Sequence, residues 1–417
     1  MKNILFSMIL VTASSIVMAT DWEAVDFELM MNGTPPEVNG DLGGWNGVPV
    51  DAEFIPFPFP DASHERSVFN EHEITDLQLI AESNGWTLEQ AKKHRSSIRR
   101  IGHRAQMLAM THPDTFIGAV APDEWDGNPV LYFKGEVDTA LLMTLNAADI
   151  DVVDNQPYSL RELKQKQQRV YSNLADQGYK HIVTSFDIRE GVIEAVVTRT
   201  DDVVSPRSVF LDDVTITFED EPVVVDHAAY GGMTAASNGS LICTTGWPVI
   251  YSIYPGFTIN GVSTAGHCSG INQVSHPGET HNAYLMREYV GFWGDMEWHV
   301  SDEFVTANFY ASENQIRPVQ SIEPVGNIVV GEPICVYGRV SNHRDCSLRV
   351  KYTSVVCGGK SNLVLMNGRA STFGDSGGGW SWGTRAYGSN VGTCAGNSIF
   401  TPVDLFDEGM GVRVLTQ

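Results

Sequence analysis

The stretch GDSGGGW, residues 374–380, decides how the rest of the chain is read. It sets one serine, Ser376, inside a run of glycines. Glycine accepts backbone angles closed to other residues, so such a turn can aim neighbouring amide N–H groups at a single point. A serine hydroxyl is a weak nucleophile at neutral pH and needs a base beside it. A second string, STAGHC at 263–268, supplies one: His267, with an ordinary pKa near 6.5. An imidazole in that role needs a carboxylate to fix its tautomer and to stabilise the cation it becomes. Asp295 is the candidate between the two strings, and Asp302 is its competitor. The amides of Gly374 and Ser376 are the candidate donors to a developing oxyanion.

Outward from these strings, the chain from residue 241 onward alternates short Val/Ile/Tyr/Phe runs with Gly, Asn and Pro turns. That pattern predicts an all-β sandwich or pair of barrels, with helix only at the last turn or two. The first half differs. Leu77, Ile80, Leu88, Ala91, Ile98, Ile101, Ala105 and Leu108 recur at mostly helical spacing, which predicts one or two helices broken near Asn84-Gly85. A strand is predicted at Pro129–Phe133, and a helix at Ser159–Asp176 with Ser159 as its cap. A hairpin over 181–199 turns at Arg189-Glu190-Gly191. Near residue 229 an acidic run gives way to AAYGGMTAASNGS, small and flexible, which marks a domain boundary. The predicted organisation is a signal peptide at 1–19, an acidic α+β region at 20–228 and an all-β domain at 229–417.

The leader reading rests on Lys2, an apolar run over residues 4–11, and the small residues Val17 and Ala19 at cleavage spacing. It implies secretion. No later run is long and apolar enough to predict a membrane span. The six cysteines, Cys243, Cys268, Cys335, Cys346, Cys357 and Cys394, all lie in the second half, and an even number in an exported chain reads as disulfides. No CxxC pair favours a metal site. Net charge is −24, and it is divided unevenly: residues 20–228 hold 16 Lys+Arg against 37 Asp+Glu, residues 229–417 hold 10 against 14. So acidic a first half argues against nucleic-acid binding and suits a docking or inhibitory surface.

The two strings resemble the chymotrypsin family of serine peptidases, in particular the bacterial branch of streptogrisin and alpha-lytic protease. The resemblance implies two six-stranded antiparallel β-barrels with the active site in the cleft between them. It assigns His267 as general base, Ser376 as nucleophile, and the Gly374 and Ser376 amides as the oxyanion hole. The spacing of Asp295 from both matches that branch. It further implies pairing of Cys243 with Cys268 and of Cys335 with Cys346, which leaves Cys357 and Cys394 together. Arg339 in CVYGR and Asp375 in GDSGG match an internal ion pair of the branch. The pocket floor falls at Ala370, which argues against cleavage after Arg or Lys; Arg369 is one register away. The sequence departs from the family at Ser371-Thr372-Phe373, where a cysteine is usual, and at GSNVGT (388–393), where a Ser-Gly-Gly pattern is usual. ESNGWTLEQA (82–91) and HPDTFIGAV (112–120) resemble the pro-region of the same branch, which implies a folding assistant that inhibits until removed.

The expected function is therefore a secreted serine endopeptidase made as a pro-enzyme. It would act on protein or peptide substrates through an acyl-enzyme, with no cofactor, as a monomer once mature. A catalytically inactive binding protein on the same fold is the alternative, and an esterase would use the same chemistry. Trp293, Trp298, Trp380 and Trp382 read as packing. His276, His281 and His299 read as surface or hydrogen-bonded residues without ligand spacing. Asn238-Gly239-Ser240 fits a glycosylation sequon.

Overall fold

The polar residue before each long helix of the first half sets where it starts. In the computed structural model, Asn70 accepts from the Glu73 amide while the Glu73 carboxylate accepts from the Asn70 amide, opening α1 (Glu71–Asn84). Thr87 and Gln90 open α2 (Leu88–Thr111) in the same reciprocal way, and Ser159 and Glu162 open α4 (Leu160–Asp176). Each box satisfies amides that the first turn leaves without partners. Gly85, at φ +68°, ends α1, so the break read at Asn84-Gly85 is a left-handed cap. The structure describes residues 69–146, 149–179, 182–198, 214–219, 224–226, 232–254, 257–276, 279–302 and 305–417. The expected leader, the proline-rich stretch after it and the junction near residue 229 lie outside these residues.

Between α2 and α4, β1 (Phe116–Val120), β2 (Val130–Lys134) and β3 (Asp151–Gln156) form a sheet in that order, with α3 (Thr139–Asn146) in the β2–β3 connection. After α4 come the hairpin strands β4 (Val183–Asp187) and β5 (Val192–Thr198), then β6 (Val214–Glu219), parallel to β5, and β7 (Val224–Asp226).

Among its described residues the second half is strands joined by turns, short 3₁₀ segments and the helix Phe406–Met410. Its first sheet runs in the order 413–414, 248–254, 257–264, 294–301, 279–291, 273–276, 234–237, 240–244. Trp247, Met296, Trp298, Phe309 and Phe406 fill the core beside it. The second sheet runs 344–345, 335–337, 379–382, 385–394, 397–402, 360–366, 350–357, and then continues into β4, β5 and β6. These ladders bear out the expected β architecture in part: the second sheet turns back on itself where Pro333 pairs with Arg349, which brings the chain leading into Cys335–Tyr337 beside the start of Val350–Cys357. The far end of the strand Val350–Cys357 has β4 as a further partner, through Val356 opposite Thr184 and Cys357 opposite Val183. An unpaired edge presents a row of donors and acceptors, and an added strand satisfies them.

Disulfides join Cys243 to Cys268, Cys335 to Cys346 and Cys357 to Cys394, a set suited to an oxidising compartment. No helix among the described residues is long and apolar enough to cross a membrane.

All described residues fall in one compact unit. The first half packs on the second through core and charge together. Leu77, Ile80 and Ala91 share a core with Trp380, Trp382 and Phe400. From α1, the fully buried Asp76 accepts from Arg317 Nη1 at 3.0 Å, Arg344 Nε at 2.7 Å and the Gly383 amide at 2.7 Å. From α2, buried Arg95 donates to Glu332 and to the Tyr387 hydroxyl, each at 2.6 Å, with its guanidinium over the Trp382 ring. A buried charge survives only when paired and hydrogen-bonded, and these are.

Candidate active site

Three backbone devices bring the candidate side chains together. The strand Phe257–Thr264 runs into the one-turn 3₁₀ segment Gly266–Cys268, which carries His267. A β-carbon at Gly266 would lie 2.8 Å from the Tyr289 carbonyl oxygen, so glycine lets this turn press against the strand Glu279–Gly291. The Cys243–Cys268 disulfide ties it behind. Asp295 lies at the start of the strand Gly294–Ser301, and its amide donates to the Thr401 hydroxyl at 3.0 Å. Gly294 has φ +111°, and a β-carbon there would meet Thr401 at 2.5 Å, so this strand entry requires a glycine just before Asp295.

Ser376 occupies a turn whose neighbours Gly374 and Gly377 have φ +109° and +89°. The turn is held by its own acid. The Asp375 carboxylate accepts from the amides of Thr372 at 2.9 Å, Val340 at 3.0 Å and Ser341 at 3.1 Å. The Ser376 carbonyl accepts from the Thr244 amide at 2.8 Å.

The result is a continuous chain of polar contacts. His267 Nε2 lies 3.0 Å from Ser376 Oγ, and His267 Nδ1 lies 2.7 Å from Asp295 Oδ2. Asp295 Oδ1 accepts from the His267 amide at 2.9 Å, which fixes the carboxylate edge-on to the ring. With Nδ1 donating to a carboxylate, Nε2 is left as the acceptor facing the hydroxyl. Asp295 and Ser376 are fully buried. Burial alone would push the Asp295 carboxyl up; His267 and Lys360 outweigh it and hold it down to about 2. Lys360 reaches Asp295 Oδ2 at 3.0 Å. Chemically, this arrangement can take the serine proton on Nε2 as the oxygen attacks a carbonyl and stabilise the imidazolium that forms.

The depressed Asp295 pKa makes a stability prediction. Its folded value, about 2, lies below the ordinary carboxylate value near 4, so its contribution is complete above pH ~4 and is lost as pH falls towards 2. Urea midpoints measured across that window should fall with acid, and the fall should be smaller in Asp295→Asn. Parallel curves for the two proteins would remove Asp295 as a source.

The competitor Asp302 is elsewhere: it is exposed and accepts from the amide and side chain of Asn282. The expected Arg339–Asp375 ion pair is corrected by the structure. Arg339 points to Glu313 at 3.4 Å and to the Tyr337 hydroxyl at 3.5 Å. Asp375 takes backbone amides instead, because the loop after Gly338 wraps it so closely that a β-carbon there would sit 2.2 Å from the carboxylate. Ala370 is half-buried, with its amide bonded to Ser398 Oγ, and exposed Arg369 folds back onto the Ser371 carbonyl. Trp298, Trp380 and Trp382 are core, and Trp293 packs against it. His299 is buried and bonded to Glu297 at 2.9 Å, and His276 stacks on Tyr310.

Sequence reasoning missed three residues at this site: Lys360, Thr401 and Val391. The Val391 carbonyl lies 3.3 Å from Ser376 Oγ and belongs to the strand Arg385–Cys394. That strand passes beside the serine and carries an antiparallel partner, β7, with Gly392 opposite Asp226, Thr393 opposite Val225 and Cys394 opposite Val224. The end of the blurred GSNVGT motif thus forms an edge on which β7 lies.

No family model and no curated protein matches the chain. Solved structures do. Thermobifida fusca protease A is 20% identical and covers 46% of this chain and 100% of its own, with a TM-score of 0.36. A Cellulomonas bogoriensis chymotrypsin is 22% identical, covering 45% of this chain and 99% of its own, with a TM-score of 0.34. An alpha-lytic protease homologue is 19% identical, covering 44% and 98%, with a TM-score of 0.34.

Proposed function

We propose that the chain is the precursor of a secreted serine endopeptidase, with Ser376 as nucleophile, His267 as general base and Asp295 as the acid that orients it. The observation that carries this reading is the relay Ser376 Oγ–His267 Nε2, His267 Nδ1–Asp295 Oδ2, at 3.0 and 2.7 Å. The serine oxygen adds to the carbonyl carbon of a peptide bond while its proton passes to His267. The imidazolium then protonates the leaving amine, and water hydrolyses the acyl-enzyme by the same relay. The Gly374 and Ser376 amides are assigned to the oxyanion, at a turn whose glycine angles support that role.

The first half, residues 20–228, is assigned as a removable folding assistant and inhibitor, and residues 229–417 as the enzyme. Its docked strand β4, and β7 lying on the edge beside Ser376, support this. A β-rich fold of many non-local contacts folds slowly, and a template that supplies an edge strand lowers that barrier. A peptide held along the Val391–Cys394 edge keeps other substrates out until it is cut.

A fluorophosphonate probe followed by mass mapping tests both parts. The label is expected on Ser376, in a secreted product whose amino terminus falls between Asp226 and Gly232. A folded, processed product that takes no label would instead favour the inactive binding protein, and a labelled product that begins at residue 20 would remove the precursor.

A further inference from the structure

Lysine is among the residues least often buried, yet Lys360 is only 4% exposed and its ammonium lies 3.0 Å from Asp295 Oδ2. That oxygen is the one that also accepts from His267 Nδ1. The placement is built into the backbone. Lys360 follows Gly358 and Gly359, both at positive φ, in the tight turn between the strands Val350–Cys357 and Lys360–Met366. Asn362, two residues on, donates to the Phe292 carbonyl at 2.9 Å, pinning this hairpin to the chain that leads into Asp295.

From this geometry we infer that Lys360 is a positioning residue that sets the working pH of the Ser376–His267–Asp295 relay. The inference rests on the reading above, that the relay is catalytic. A buried carboxylate next to an imidazole stabilises the imidazolium and so raises the pH at which the base becomes free. A second cation on the same oxygen opposes that: it compensates the carboxylate charge, so His267 gives up its proton at lower pH while Asp295 stays ionised. Lys360 itself moves no proton. The other ionisable groups around this row are Glu297, two residues along the same strand, its partner His299, and Glu288 opposite it on the neighbouring strand. The carboxylate beside the serine, Asp375, is held by three amides. All of these remain in a Lys360 variant, so a shift seen there belongs to the lysine.

The test is the pH dependence of fluorophosphonate labelling of Ser376 in secreted enzyme carrying Lys360→Met, Lys360→Gln or Lys360→Arg. Coulomb interaction at protein dielectric predicts that Met and Gln raise the acid-limb midpoint by about one pH unit, so labelling below it slows about tenfold while the alkaline plateau changes little. Arg, which keeps the charge, is expected to restore the wild-type midpoint. Gln keeps a hydrogen-bond donor and approximate size, so a Gln variant that titrates like wild type overturns the inference even if Met fails to fold. Equal shifts in Gln and Arg overturn it as well. A wild-type protein that takes no label fails the catalytic reading; a labelled wild type with unshifted Met and Gln variants fails only this one.

Discussion

Asp295→Asn is expected to lower kcat by about 10⁴-fold, with substrate affinity nearly unchanged. The carboxylate accepts from His267 Nδ1 at 2.7 Å, which forces the proton onto Nδ1 and leaves Nε2 to receive the serine proton. An amide of the same shape can present its NH₂ to Nδ1 instead. The ring then holds its proton on Nε2, facing Ser376, and cannot act as a base. The imidazolium of the transition state also loses its counter-charge. The second oxygen contributes separately, since Asp295 Oδ1 holds the His267 amide at 2.9 Å and so fixes the turn that carries the ring. Asp302→Asn is the control. That residue is exposed and bonded to Asn282, so its kcat should stay within about twofold of wild type, as for most surface substitutions. Steady-state kinetics on a peptide substrate decide the matter. Loss in Asp302→Asn with activity kept in Asp295→Asn would require a different relay.

Much of this site was legible because its chemistry uses residue types that nothing else in the fold demands. A serine between glycines and a histidine before a cysteine are poor core material, so GDSGGGW and STAGHC stand out. The helices were legible for a similar reason: Ser159 with Glu162, and the periodic apolar residues from Leu77 to Leu108, act through contacts close in sequence. What was not legible is long-range. Lys360 carries no motif, and its role depends on a hairpin laid against a strand far away in the chain. Arg339 matched its expected position in sequence, but the loop after Gly338 turned its carboxylate partner over to backbone amides. The pairing of β4 with the end of Val350–Cys357 joins the two halves of the chain, and no local pattern marks it. Sequence periodicity marks a strand but not its neighbour.

The other large effect is expected from Asp76→Ala, far from the serine. Arg317 is buried and the Arg344 side chain is only 5% exposed, and both guanidiniums converge on this single carboxylate of α1. Removing it leaves two cations in a site built for an anion, a loss of about 3–5 kcal/mol for a broken buried pair. Asp76 also accepts from the Gly383 amide, so a backbone donor is stranded too. The cost falls on the docking of α1, because the arginines belong to the second half. If that docking assists folding, the full-length variant should yield at least about tenfold less secreted, probe-reactive enzyme than wild type, since 1.4 kcal/mol already shifts an equilibrium tenfold. Adding Arg317→Met and Arg344→Met should recover part of the loss, because an apolar cluster does not suffer from a missing charge. The same residue predicts an acid response. Burial would push the Asp76 carboxyl up, but Arg344, Arg317 and the Gly383 amide together hold it below its ordinary value. Its contribution is therefore complete above the unfolded carboxylate pKa near 4 and weakens as pH falls below it. If the first half is removed as proposed, water would reach both arginines and the remaining chain would no longer need Asp76. A variant that lowers precursor yield while leaving the stability of purified mature enzyme untouched is the expected signature. Equal destabilisation of both would place Asp76 in the final fold rather than in its assembly.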